Sequence, residues 1–82
     1  MFIAKINVTL KESVLDPQGQ TVLRVVKDQG KSQVKDLRVG KYIEVKWDVS
    51  SKAEAESLTK EICESILVNS VIESYRYSVE AL

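Results

Sequence analysis

Between Leu37 and Trp47 the apolar side chains hold one parity without a break. Leu37, Val39, Ile43, Val45 and Trp47 share it, with Lys41 among them, while Arg38, Gly40, Tyr42, Glu44 and Lys46 take the other. Successive side chains of a strand point to opposite faces of a sheet, so this stretch reads as strand with one apolar face. A two-residue hairpin at Gly40-Lys41 would pair Val39 with Tyr42 and Leu37 with Glu44. It would carry Tyr42, Glu44 and Lys46 onto the apolar face, which a buried face disfavours. Unbroken parity favours one long strand over Val34 to Trp47, with Gly40 as the place for a bend. A hairpin with a three-residue turn, Gly40 to Tyr42, is the alternative that also keeps parity.

Such a strand has a mechanical consequence. Fourteen residues at about 3.3 Å each reach about 46 Å, whereas a compact domain of this length has a radius of gyration of about 12 Å. The strand overruns its own monomer and needs something to lie against; a second copy of the chain is the simplest candidate. Lys41 sits on the core-side parity, where an unpaired ammonium is costly. Either the strand bends there, or Lys41 meets a carboxylate, an interface being one place to find it.

The rest of the chain frames this strand. Phe2 to Leu10 alternates, with Phe2, Ala4, Ile6, Val8 and Leu10 on one face, the pattern of a half-buried strand. Asp16-Pro17 opens a helix, because Asp accepts from free first-turn amides and Pro at the first helical position forfeits no bond. Gly19 weakens helix entry, Val22, Leu23, Val25 and Val26 form a narrow stripe, and Gly30 stops the helix. Ser51-Lys-Ala-Glu54 is a capping box for a helix to about Leu67, with Ala55, Leu58, Ile62 and Ile66 at helical spacing. Asn69 suits a left-handed closure. Val71 to Val79 alternates again with both faces mixed. The order strand, helix, strand, helix, strand describes an α+β domain: an antiparallel sheet covered by two helices, related to ferredoxin-like folds.

At 82 residues there is room for a single domain, residues 1–82. Its marginal core makes a partner subunit a natural source of stability. Twelve basic side chains balance twelve acidic ones, which removes the electrostatic case for nucleic acid or an acidic membrane. Residues 1–48 nonetheless carry nine basic and six acidic groups, and residues 49–82 three and six, an asymmetry that fits attraction between copies as well as two solvated faces. No apolar run approaches the roughly 20 residues of a membrane span, and Lys5 interrupts any signal-peptide core. These features predict a cytoplasmic protein.

Catalytic equipment is sparse. The chain has no His and one Cys, which excludes His-based triads, His metal ligands, Cys-cluster zinc sites and an internal disulfide. Cys63 lies beside Ile62 in a helix and reads as a small packed hydrophobe. Gly19, Gly30 and Gly40 are isolated, so no phosphate loop forms. Glu12 and Asp16 read as an exposed turn rather than an acid/base pair. Arg38, Lys41 and Lys46, interleaved with Tyr42 and Trp47, suit a solvated sheet face or a protein interface better than single-stranded nucleic acid. No catalytic, cofactor-binding or metal-binding residue is assigned.

Three segments carry a resemblance: Val8-Thr-Leu-Lys-Glu-Ser-Val-Leu-Asp-Pro-Gln-Gly19; Leu37-Arg38 followed by Val39-Gly-Lys-Tyr-Ile-Glu44; and Asn69-Ser-Val-Ile-Glu-Ser-Tyr75. Together they resemble the PurS family, the small subunit of phosphoribosylformylglycinamidine synthase of bacteria and archaea. The resemblance spans nearly the whole chain; Ser70 stands where a Pro is common, and the segment after Trp47 is more polar. It implies a step of purine biosynthesis in which formylglycinamide ribonucleotide, ATP and glutamine give formylglycinamidine ribonucleotide, ADP, phosphate and glutamate. It implies a homodimer or tetramer, a synthetase partner PurL, which takes ATP and magnesium, and a glutaminase partner PurQ. This chain would bridge them and aid ammonia transfer without catalysing anything itself. The interface residues expected on that basis are Asp16, Pro17, Gln18 and Gly19 in one loop, and Arg38, Gly40, Lys41 and Tyr42 in the other. The alternative is a regulatory module that senses a small molecule.

Overall fold

The computed structural model describes residues 1–82. Five elements follow one another: β1 (Phe2–Leu10), α1 (Pro17–Asp28), β2 (Gly40–Trp47), α2 (Lys52–Ile62), which runs on into a π-helical turn (Cys63–Leu67), and β3 (Glu73–Ala81). The strands form one antiparallel sheet in the order β2-β1-β3. The α+β order and the antiparallel sheet match the expectation, and β1 lies in the middle.

Register follows the alternation of β1. Ala4 stands between Val45 and Val79, Ile6 between Ile43 and Tyr77, and Val8 between Lys41 and Tyr75. These side chains share the face that α2 covers. Ala4, Ile6, Val8, Val79, Ala55, Cys63 and Val68 make the buried core, and Phe2, Ile43, Val45, Trp47, Tyr75 and Tyr77 pack against it. The other face carries Lys5, Asn7, Thr9, Tyr42, Glu44, Arg76 and Glu80, held at one point by a Lys5–Glu80 ion pair of 3.1 Å.

The segment before β2 departs from its expected form. Neither the long strand nor the hairpin forms: β2 starts at Gly40, and residues 34–39 lie outside the ladder. Their amides and side chains are engaged instead by local groups and by the loop before α1, as described below. The parity of Leu37 and Val39 therefore reflects half-buried contacts and not sheet pairing. Lys41 does meet a carboxylate, that of Glu73 at 3.7 Å, within the same chain.

Helix α1 is capped as its sequence demands, by Asp16 at one end, and it ends before Gly30, whose φ of 86° favours glycine. It does not cover the sheet. None of its residues joins the core, and Val22 and Val25 stay exposed. Only α2 packs on the strands. The apolar stripe of α1 is divided: Val22 and Val25 are exposed, while Leu23 and Val26 are half-buried away from the sheet core.

Helix α2 buries Ala55, Thr59 and Cys63, spaced four apart, and leaves Ile66 exposed. The expected stripe of Ala55, Leu58, Ile62 and Ile66 shares Ala55 with this and otherwise runs one residue to the side. The π turn accounts for the end of the shift, since its extra residue per turn rotates Ile66 outward while Leu67 and Val68 stay against the core. Asn69 is not left-handed. Its carboxamide Oδ1 accepts from Val71 N–H, and its carbonyl accepts from Ile72 and Glu73. That turn delays β3 to Glu73, so Val71 and Ile72 stay outside the strand.

The particle is long and thin, 50 × 27 × 14 Å, with a radius of gyration of 16.1 Å against about 12 Å for a compact chain of this length. Its accessible surface of 5834 Å² exceeds the roughly 4,900 Å² of a compact monomer. The strands are about 30 Å long, and α1, about 18 Å long, does not pack along them. The overrun expected of a strand is thus supplied by a helix and its return loop.

Candidate functional site

The two loops singled out by the sequence meet at one end of the sheet, and Asp16 joins them. Its Oδ1 accepts from Gly19 N–H and its Oδ2 from Val39 N–H, both at 2.9 Å. One carboxylate therefore caps α1 and pins the return segment just before β2. The donation from Val39, then that from Gly19, hold its carboxyl below the usual 3.8, with the nearby Arg38 guanidinium assisting. Gly19 is required here: a Cβ would press on the Asp16 carboxylate and approach Leu37 O within 2.9 Å. Arg38 closes the same knot by donating from one terminal nitrogen to the carbonyls of Leu10 and Lys11, each at 2.9 Å.

This knot divides the eight expected residues. Asp16 and Gly19 are buried and Arg38 is half-buried with its guanidinium engaged, so these three shape the site from within. Pro17 and Gln18 are exposed on the first turn of α1. Gln18, Gly40, Lys41 and Glu73 border a small cleft of about 190 Å³ on the helix side of the sheet. Tyr42 points to the opposite face, where its hydroxyl donates to Glu44 at 2.8 Å. Burial and the Glu44 carboxylate push its phenol up. The open face bears a second, larger trough of about 490 Å³, bordered by Asn7, Thr9, Gly40, Tyr42, Ser74 and Arg76. Arg76 was not among the expected residues. Its sequence signal is only a basic residue on the polar parity of β3, and its significance depends on strand order.

The one thiol of the chain is not placed for nucleophilic chemistry. Cys63 is fully buried, and burial, with Glu64 nearby, pushes its thiol up and away from the reactive thiolate. No three metal-ligating side chains gather at one place. No helix is long and apolar enough to cross a membrane. What the site offers is shape, hydrogen-bonding groups and uncovered apolar surface, the materials of an interface.

Comparison with known proteins agrees with this geometry. The family model described as PurS, phosphoribosylformylglycinamidine (FGAM) synthase, matches residues 3–81. The phosphoribosylformylglycinamidine synthase subunit PurS of Bacillus subtilis is 46% identical over 80 residues, covering 98% of this chain and 94% of the relative. PurS of Methanocaldococcus jannaschii, one of the subunits of formylglycinamide ribonucleotide amidotransferase in the purine biosynthetic pathway, superposes with a TM-score of 0.88 at 29% identity, over 100% of this chain and 99% of that one. A chain in the structure of PurLQS from Thermotoga maritima superposes with a TM-score of 0.88 at 35% identity, over 96% of each chain.

Proposed function

We propose, from the premise that this chain belongs to the PurS family of phosphoribosylformylglycinamidine synthase subunits, that it is the non-catalytic assembly subunit of that synthase. In this reading it acts in purine biosynthesis, in the cytoplasm, joined to a synthetase subunit PurL and a glutaminase subunit PurQ. ATP and magnesium belong to the synthetase subunit, and ammonia released by the glutaminase reaches it with this chain's help.

The observation that carries the reading is how little the chain buries on its own. Only 11 of 82 residues are buried, and no residue of α1 joins the core, Val22 and Val25 being exposed. Such a chain is built to be completed by others. The first of these is a second copy, whose sheet offers half-buried apolar residues such as Ile43 and Tyr75 to the α1 stripe, each copy receiving the other's helix. The synthase partners come next. Pro17, Gln18, Lys41 and Tyr42 supply their contacts, with Tyr42 the aromatic anchor, while Asp16, Gly19, Gly40 and Arg38 hold those contacts in place.

Reconstitution tests this directly. Purified PurL and PurQ should gain glutamine-dependent amidine synthesis when this chain is added, with a fixed stoichiometry, and the chain alone should turn over neither ATP nor glutamine. Full activity without it would reject the assembly role, and binding heats with nucleotides or amino acids on the isolated chain would favour a sensing module instead.

A further inference from the structure

The open face of the sheet sorts its polar side chains into two groups. Lys5 and Glu80 pair with each other, and Tyr42 with Glu44. Asn7, Thr9, Ser74 and Arg76 lie together at the other end, and none of their side chains takes part in a hydrogen bond or ion pair within the chain. They surround the trough of about 490 Å³. Asn7 stands between Tyr42 and Arg76 across the strands, and Thr9 between Gly40 and Ser74. Strand spacing puts Tyr42 and Arg76 about 10 Å apart at the backbone. Asn7 fills the row between them, and the short residues of the next row, Gly40, Thr9 and Ser74, leave a gap beside it.

We infer that this gap receives a carboxylate side chain from one of the two larger synthase subunits, with Arg76 as its counter-ion and Tyr42 packing beside it. Charge fixes the chemistry: of the two cations that line the trough, Lys41 is already paired with Glu73 and Arg76 is not, and the other polar groups are neutral, which balances a single negative charge. A planar guanidinium meets a carboxylate through two parallel hydrogen bonds, and Asn7, Thr9 and Ser74 can supply a further donor. Shape selects a protein as the source. Small-molecule sites enclose most of their ligand, whereas this trough lies open on a sheet face; an Arg and a Tyr flanking a gap are what protein interfaces use as anchors. The inference rests on the assembly role proposed above and names the group through which that assembly is made.

The test is titration of the full-length chain into PurL and PurQ, read by complex formation and by glutamine-dependent activity. Arg76→Glu should weaken assembly at least tenfold, and Arg76→Gln should weaken it less but in the same direction. Lys46→Glu, a charge reversal elsewhere on the same face, should stay within twofold of the parent. Circular dichroism and sedimentation equilibrium of the isolated variants should be unchanged. Assembly of both Arg76 variants at parental affinity would overturn the inference while leaving the assembly role intact. A smaller oligomer of isolated Arg76→Glu would overturn it by making a second copy the occupant. Binding of inorganic phosphate or glutamate by the parent and not by Arg76→Gln would overturn it in favour of a free anion. Failure of the parent chain to assemble at all would remove the assembly role and this inference together.

Discussion

The indole N–H of Trp47 donates to Oγ1 of Thr59 at 2.9 Å, and that hydroxyl donates onward to the carbonyl of Ala55 at 2.7 Å. The end of β2 is thereby tied to the buried side of α2, the helix that closes the core. Thr59→Val keeps the side chain's shape and strands the indole N–H. Loss of one such partner costs about 1–2 kcal/mol, which lowers the melting temperature of a domain this size by about 5–15 °C. Trp47 is the sole tryptophan, so thermal melts followed by its emission report the change at the bond itself. An unaltered midpoint would mean that water replaces the hydroxyl without loss.

Asp16 gives stability with a defined pH dependence. Its carboxyl titrates lower in the folded chain than in the unfolded one because Val39 and Gly19 donate to its ionised form. The folded state therefore binds fewer protons near pH 4. The contribution is whole above the ordinary aspartate value and is lost as pH falls from there through the folded value. Asp16→Asn keeps one acceptor oxygen for two amides and should lower the melting temperature by about 5–10 °C at pH 7, and the gap to the parent chain should close below about pH 4. A gap that is constant from pH 7 to pH 3 would show that the ionised form is not what the two amides hold.

Glu73 has two tasks that separate by substitution. Its Oε2 faces Lys41 at 3.7 Å, and its Oε1 accepts from Asn69 N–H at 2.8 Å. The ion pair is partly exposed, so Lys41→Ala should cost less than about 1 kcal/mol and the cost should vanish in high salt. Glu73→Gln should match it, keeping the acceptor for Asn69. Glu73→Ala should cost about 1 kcal/mol more, because the turn before β3 also loses its clasp. Urea titration of the three variants measures the order; equal losses for Glu73→Gln and Glu73→Ala would assign everything to the charge.

Two aspartate substitutions distinguish the core from the surface awaiting a second copy. Ile43 packs against the core beside Ile6, so Ile43→Asp should unfold the chain. Val25 is half exposed on α1, so Val25→Asp should leave the circular dichroism of the fold intact and reduce the particle to one copy by sedimentation equilibrium at low micromolar concentration. A Val25→Asp chain that stays dimeric would show that α1 is not the exchanged element.

The elements easiest to read were those whose signals are local. The alternation of Phe2 to Leu10 predicts β1 to the residue, and Asp16 and Ser51 cap α1 and α2 as their side chains dictate. The parity of Lys41 allows a bend or a carboxylate, and the chain supplies the carboxylate from Glu73. Residues 34–39 mislead because half-buried contacts with a knot of side chains produce the same parity as a ladder, and Val39, one of the two donors to Asp16, lies 23 positions from it along the chain. The inward turn of Thr59 was hidden because its hydroxyl has a partner in Trp47, which no helical periodicity reports. Of the proposed interface, the Asp16 and Arg38 loops are visible as motifs; Arg76 is not, since only the order β2-β1-β3 brings it across β1 from Tyr42.

The 50 Å length of so light a chain also governs how it drifts through a solvent. A slender body meets more drag than a sphere of the same mass, so a column or a diffusion measurement assigns it too great a weight, and a solitary copy can pass for a pair. Counting copies in this assembly therefore calls for methods that weigh, such as native mass spectrometry, in preference to methods that time.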